Sequence, residues 1–210
     1  MFEQVKEMRR LQAQKAMKNL ALHGFEASYF ETKEEAFEQL KKEIPEGAVI
    51  ANGGSMTLTE MGVFDWLKGN EKYHYLDRDA AEDKKKIFHA SLDADVYLMS
   101  SNAVTMDGML YNIDGNGNRL AALIYGPEKV YVVCGTNKLV RDLDEAKTRL
   151  ETIASPANNI RLHKTNPCTV TGECMHCLSS TTICNQIVIT RRNNVPGRIH
   201  VFLVNEELGY

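Results

Sequence analysis

What most constrains this chain is an alternation of short apolar runs with amphipathic helical stretches, sustained through residue 154. Phe2, Val5, Met8 and Leu11 recur by threes, Ala16 and Leu20 continue the face, and Gly24 closes a first helix. FEASYF reads as a short strand; Thr32 with Glu35 then forms a T-x-x-E capping box ahead of KEEAFEQLKKEI. The strand AVIA, the helix TEMGVFDWLK, the strand YHYL, the helix AAEDKKKIFHASL and the strand VYLMS follow, and after a Gly/Asn-rich stretch come the strand KVYVVCG and the helix DLDEAKTRLETIA. Short apolar strands separated by helices predict a three-layer, doubly wound α/β fold whose mostly parallel sheet is covered on both faces. The tail breaks the pattern. Beyond Ser155-Pro156 lies a cysteine-bearing segment, then QIVIT and RIHVFLV around RRNNVPG, which predicts an antiparallel C-terminal hairpin. The expected organisation is one domain over 1–210, with an α/β layer and N-terminal helix in 1–154 and a Cys-rich extension with its hairpin in 155–210.

Charge and composition narrow the function. With 25 Lys and Arg against 28 Asp and Glu, scattered rather than striped, the chain carries no footprint for a phosphate backbone, so nucleic acid is not an expected partner. The charged N-terminus lacks a signal-peptide core, and no run approaches the roughly eighteen apolar residues of a membrane span. A cytoplasmic protein without a membrane partner is expected. In that reducing compartment, grouped cysteines point to metal or redox use rather than structural disulfides.

Ligands of open parallel sheets bind beyond the carboxyl ends of the strands, which directs attention to two loops. In ANGGSMTLTEMG, Gly53 and Gly54 permit close backbone approach, and Ser55 leads to a helix start, with Thr57 and Glu60 as a capping pair; free N–H groups there suit phosphate or carboxylate. The pattern is neither a P-loop nor G-x-G-x-x-G. A tight strand-to-helix turn explains the same residues without a ligand. In SSNAVTMDGMLYNIDGNGNR, Asn102 and Asp107 are the pocket candidates, and Asp107 or Asp114 can accept a ligand hydroxyl or act as a base. Asp-Gly and Asn-Gly pairs are equally strong hairpin-turn signals, so Asp114, Asn116 and Asn118 read as turn formers, and Met109 to Tyr111 as a possible short strand.

Cys168, Cys174, Cys177 and Cys184 are spaced C-x5-C-x2-C-x6-C. Four thiolates suit tetrahedral zinc or an iron–sulfur cluster, though the order is not the bacterial ferredoxin run. Cys134, within an apolar strand, reads as a small buried hydrophobe. His176 reads as solvent-facing, and His74, His89, His163 and His200 have no sequence-local partner. Lys84 to Lys86 read as a solvated helix face, and Phe64 and Trp66 as packing against the sheet. The common hydrolase motifs are absent.

ANGGSMTLTEMG, the block from ADVYLMSSNAVTMDG through YVVCGTNKLV, and the cysteine pattern together resemble the lactate utilisation domain (LUD) family in its stand-alone form. That resemblance implies the fold of the ribose-5-phosphate isomerase, glucosamine-phosphate deaminase and CoA-transferase group. It places Gly53, Gly54, Ser55, Thr57 and Glu60 opposite Asn102, Asp107, Gly108 and Asn112 around a pocket. It implies a role in oxidation of lactate to pyruvate beside iron–sulfur partner proteins, whose long ferredoxin-like module this chain lacks. The expected ligand is a small carboxylate or a phosphate-bearing molecule, and homo-oligomerisation is compatible with the pattern. Two other functions stay open: a sugar-phosphate isomerase or acyl/CoA-transfer enzyme with Glu60 or Asp107 as base or nucleophile, and a zinc-stabilised binding subunit without chemistry.

Overall fold

A computed structural model describes residues 2–210. The strands in chain order are β1 (Glu26–Phe30), β2 (Val49–Asn52), β3 (His74–Tyr75), β4 (Val96–Met99), β5 (Ala103–Thr105), β6 (Leu110–Asp114), β7 (Lys129–Gly135), β8 (Leu139–Val140), β9 (Gln186–Thr190) and β10 (Ile199–Val204). The main sheet has the order β1-β10-β7-β4-β2-β3 and every pairing in it is parallel. A smaller mixed sheet, β8-β5-β6-β9, stands beyond it.

The parallel strands are apolar on both faces because helices cover both. On one face α1 (Glu3–Leu22) contributes Ala13, Ala16 and Leu20, and α6 (Asn118–Ile124) contributes Leu120 and Leu123, packed on Val130, Val132, Val201 and Leu203. On the other, Ala36 and Leu40 of α2 (Lys33–Glu43) and Leu58, Val63 and Leu67 of α3 (Met56–Glu60) and α4 (Val63–Leu67) meet Ile50, Leu98, Val133 and Phe202. Each fully buried Val, Leu, Ile or Phe side chain among these contributes about 1.5–3 kcal/mol over exposure. Phe64 and Trp66 do pack against this second face. The three-layer α/β expectation therefore describes the molecule.

The C-terminal hairpin does not form. β9 pairs antiparallel with β6 in the small sheet, whereas β10 inserts between β1 and β7, parallel to both. The reason is legible in IHVFLV, whose six residues are all buried. A run without a polar face suits a central parallel strand, not a hairpin exposed on one side. Nor is there a structural break at residue 154. α7 (Leu143–Arg149), a π-helical turn over Leu150–Ala154 and α8 (Ser155–Arg161) follow without interruption, and Pro156, which has no N–H to give the ladder, stands just after the π-turn, where the i→i−4 register already gives way. TEMGVFDWLK forms two short helices parted by Gly62 at φ +73°. AAEDKKKIFHASL is helical only over α5 (Lys84–Ala90) and the 3₁₀ turn Ser91–Asp93.

Among the described residues no helix is long and apolar enough to cross a membrane.

Candidate functional site

Chain order reverses within the main sheet between β2, which leads outward to β3, and β4, which returns on the other side of β2. Such a switch point splays the loops at the carboxyl ends of the strands and opens a crevice there. The structure has its main cleft at that place, about 800 Å³ in volume, with Gly54 and Ser55 after β2 and Ser100 to Asn102 after β4 on its walls. The loop from Ile113 to Asn116, α8 with Arg161, the stretch Ser180–Asn185 and Tyr210 complete the enclosure. Among the described residues six cationic side chains line it, Arg78, Lys84, Arg119, Lys138, Arg161 and Lys164, against one acidic side chain, Asp114. Clefts lined by one sign of charge attract the opposite sign.

Arg119, in the first turn of α6, holds the back wall together. Its guanidinium donates to the carbonyl of Ser100 at 3.1 Å, to Asn112 Oδ1 at 2.6 Å, to Asn102 Oδ1 at 3.1 Å and to the Ile113 carbonyl at 2.7 Å. Asp114 Oδ2 lies 3.7 Å from Arg119 Nε, an ion pair by distance but not a hydrogen bond, and this buried oxygen has no hydrogen-bond partner. Burial works against the charge of Arg119, and Asp114 supports it. With four donors committed, Arg119 supplies field and position rather than free N–H groups. Gly53 explains how it fits: a Cβ there would stand 2.8 Å from Arg119 Cδ, so the bare backbone makes room for the arginine stem.

Lys138 is the other anchor of the wall. It ends the 3₁₀ turn Thr136–Lys138 that follows β7, and is only 4% exposed. Its Nζ donates to Thr57 Oγ1 at 2.8 Å and to Ser100 Oγ at 3.0 Å. Thr57 in turn donates to the Leu208 carbonyl at 3.0 Å. No carboxylate among the described residues stands within ion-pair distance of this ammonium. Burial pushes Lys138 down to about 8; Arg149 and Arg119 add to the drop, while Cys134 and Glu60 oppose it. Arg149, also buried, spends its donors on the carbonyls of Asn137 and Asn102.

The expected residues divide. Gly54, Ser55 and Asn102 line the cleft. Thr57, Asn112 and Gly53 stand directly behind it, holding Lys138 or Arg119. Asn112 is fully buried, and its Nδ2 has no partner. The helix start after the glycines offers no free anion site, because α3 is a single turn and Ser55 Oγ already accepts from Leu58 N–H. Glu60 does not line the cleft; its carboxylate accepts from Gly209 N–H at 2.9 Å and ties down the C-terminal stretch. Asp107 and Gly108 form the tip of the β5–β6 hairpin. There Asp107 accepts from Thr105 Oγ1, and Gly108, at φ +96°, abuts the backbone of Asn19 in α1. The Asp-Gly pair thus acts as a turn, and neither residue reaches the cleft. Asp114 does reach it. Lys84 stands at its rim although the lysine run is solvent-exposed.

The four cysteines gather beside the same cleft, and Cys184 is part of its wall. Burial raises the Cys168 thiol, and Cys184, Cys177 and Cys174 raise it further. Cys184 is raised by burial, with a hydrogen bond to Ser155 opposing and Cys174 and Cys177 adding to the rise. The thiols thus sense one another, yet among the described residues no three His, Cys, Asp or Glu side chains stand together as an ion's ligands. As a donor set they suit a thiophilic metal; as placed they do not form its shell. All five cysteines are free thiols, Cys134 fully buried. His176 is exposed, 3.8 Å from Glu151. His200 is a satisfied core histidine at the opposite, amino-terminal edge of the sheet, bonded to Ser28 and Glu43.

The family model of the LUD domain matches residues 13–204. The chain belongs to the LUD domain family. A solved structure similar to this LUD domain is the crystal structure of a duf162 family protein from Deinococcus radiodurans, with 16% sequence identity, a TM-score of 0.54 and coverage of 93% of this chain and 98% of that one. At that identity the likeness supports the fold. No curated protein matches the chain.

Sequence reasoning singles out neither Lys138 nor Arg119, although both carry a signal. Lys138 lies in GTNK, three residues past the end of an apolar strand, where the carboxyl-edge rule applies as it does to the other two loops. Arg119 is the last residue of SSNAVTMDGMLYNIDGNGNR, whose Gly and Asn content reads as loop, whereas α6 already opens at Asn118.

Proposed function

We propose that this LUD domain binds a small organic anion in the carboxyl-edge cleft and serves, as a lactate-utilisation-type protein, in the oxidation of lactate to pyruvate beside iron–sulfur partner proteins. The observation that carries the anion site is Lys138, a buried ammonium on the cleft wall without a counter-charge. An unpaired buried charge is costly, and a carboxylate entering the cleft supplies what the fold withholds. Lactate chemistry itself rests on family membership. Calorimetry with lactate and pyruvate tests the reading: binding to the wild type that is lost in Lys138→Met supports it, and heats indistinguishable from dilution for both acids refute it.

The size of the cleft favours a second reading. A volume of about 800 Å³ is far more than a three-carbon acid fills, and the rim cations Arg78, Lys84, Arg161 and Lys164 lie in addition to Lys138. Pockets of that size hold drug-sized ligands. A sugar phosphate or a CoA thioester has the charge and bulk to use them, consistent with an isomerase or acyl-transfer enzyme. Asp114, rather than Glu60 or Asp107, is then the carboxylate within reach. Ribose 5-phosphate in the same titration separates the two readings by its affinity relative to lactate.

The thiols form a separate part of the proposal. Cys168, Cys174, Cys177 and Cys184 take up zinc or iron–sulfur only if their segment draws together from the arrangement seen, so no chemical step is routed through them. Metal analysis of anaerobically purified protein, with Cys174→Ser/Cys177→Ser as control, decides: about one metal site per chain, absent from the variant, supports uptake, and neither iron nor zinc removes it.

A further inference from the structure

We propose that Lys138 is a reactive amine that forms a covalent imine with the carbonyl carbon of an anionic aldehyde or ketone held in the cleft. The inference rests on the reading of the cleft as an anion site, and goes beyond it by naming the reacting group and the ligand chemistry, a carbonyl carried on a small anion. Both a 2-oxo acid and the open-chain form of a sugar phosphate have it.

The geometry is specific. Lys138 Nζ has three tetrahedral positions; two point at Thr57 Oγ1 and Ser100 Oγ, and the side chain forms part of the cleft wall with no carboxylate to occupy the third. When the amine loses a proton, its lone pair takes the third position. The two hydroxyls fix the nitrogen, as second partners fix any nucleophile that must meet its target at a defined angle. The charged groups facing it are Arg149 from α7, Arg119 from α6 and Glu60 from α3, with Cys134 of β7 beside it. The cations outnumber the nearby carboxylate, and the C-terminal stretch covers it closely enough that a Cβ on Gly209 would lie 3.3 Å from Nζ. With the amine pushed down to about 8, roughly a tenth of it is neutral at pH 7, compared with less than about a thousandth for an ordinary lysine.

The step balances without an external oxidant. The neutral Nζ adds its electron pair to the carbonyl carbon, and the carbonyl oxygen takes a proton that leaves the nitrogen, for which the Ser100 hydroxyl at 3.0 Å is the adjacent relay. The resulting carbinolamine releases one water to give the C=N bond. The rim cations Arg78, Lys84, Arg161 and Lys164 hold the anionic end of the ligand throughout, while Arg119 keeps the wall behind it in place.

Borohydride trapping tests the inference on the whole chain. Wild-type protein is incubated with pyruvate, with ribose 5-phosphate, or with lactate, which has no carbonyl to react, then reduced, digested and mapped by mass spectrometry. The expected result is an adduct on the peptide containing Lys138 with pyruvate, ribose 5-phosphate or both, identifying which source of carbonyl fits. Lactate gives none. Peptide mapping places the adduct without any variant, so it does not depend on whether a mutant folds; Lys138→Arg, which keeps the charge but cannot form the bond, should abolish it. At ligand concentrations well below saturation, where the rate follows the free protein, trapping should rise roughly tenfold between pH 7 and pH 9 and then level off, whereas an ordinary lysine would climb about a hundredfold over that span and continue to rise. Adducts spread over surface lysines and unaffected by Lys138→Arg overturn the inference. So does measurable binding of pyruvate or ribose 5-phosphate without an adduct at Lys138, which leaves the anion site standing. Absence of binding by all three compounds overturns the anion reading and this inference together.

Discussion

A lysine buried without a carboxylate is held against its own chemistry. The drop from 10.5 to about 8 corresponds to about 3 kcal/mol of cost at neutral pH. The folded state holds this proton less tightly than the unfolded state, so between about pH 8 and 10.5 the unfolded chain binds more protons and stability rises with pH. Below about 8 the cost is fully present. Lys138→Met should therefore stabilise the ligand-free protein by about 1–3 kcal/mol and flatten that part of the pH profile, while removing anion binding; urea unfolding at pH 7 and pH 9.5 reads both. A variant less stable than wild type at pH 7 would show that the two hydroxyl contacts outweigh burial. Arg119 answers differently, since its fork satisfies two asparagines and two carbonyls. Arg119→Lys should cost about 2–4 kcal/mol by leaving several of these without a donor. Gly53→Ala, by pressing on the Arg119 stem, should cost about 1–2 kcal/mol and weaken anion binding through displacement of the wall, which calorimetry on the folded variant detects.

At the scale of elements, β10 decides how the molecule is closed. Because Phe202 is fully buried between the neighbours of a central strand, Phe202→Ala should cost about 3–5 kcal/mol and lower a single cooperative transition. An appended hairpin would instead detach by itself, leaving the main transition in place, and circular dichroism with tryptophan fluorescence distinguishes the outcomes. The alternation of apolar strands and amphipathic helices made the layers and most strands legible, because periodicity reports which face of an element is buried. For β10 the turn-rich RRNNVPG points to a hairpin, while the two-sided burial of IHVFLV, which sets its central parallel place, shows only in the fold. The NGGS loop was found by the strand-end rule and stands at the cleft. Asp107 stands at a hairpin tip rather than at the cleft, and Asp-Gly composition alone does not separate a hairpin tip from a ligand loop. Glu60 depends on a contact with Gly209, far away in sequence, and Arg119 on a fork shared between the β4–β5 loop and β6, which local patterns do not encode.

Across the whole molecule, the chain crosses the site repeatedly. Loops after β2, β4 and β7 supply one wall, and the residues after β10 return over it, with Leu208 and Gly209 bonded to Thr57 and Glu60 and Tyr210 to Arg161 and Asn158. The small sheet and the cysteine segment close the other side through Ile183 and Cys184. The cleft therefore couples both ends of the fold, and an anion bound there should protect the carboxyl-edge loops as a group. On this reading Lys138 is a buried cation whose anionic partner arrives with the ligand. Its titration, followed by heteronuclear NMR on lysine-labelled protein and assigned with Lys138→Arg, tests this most directly. The expected midpoint lies near 8 in the free protein and moves upward when lactate or inorganic phosphate saturates the cleft, because the bound charge favours the ammonium. A midpoint above about 10 that no anion moves would contradict it.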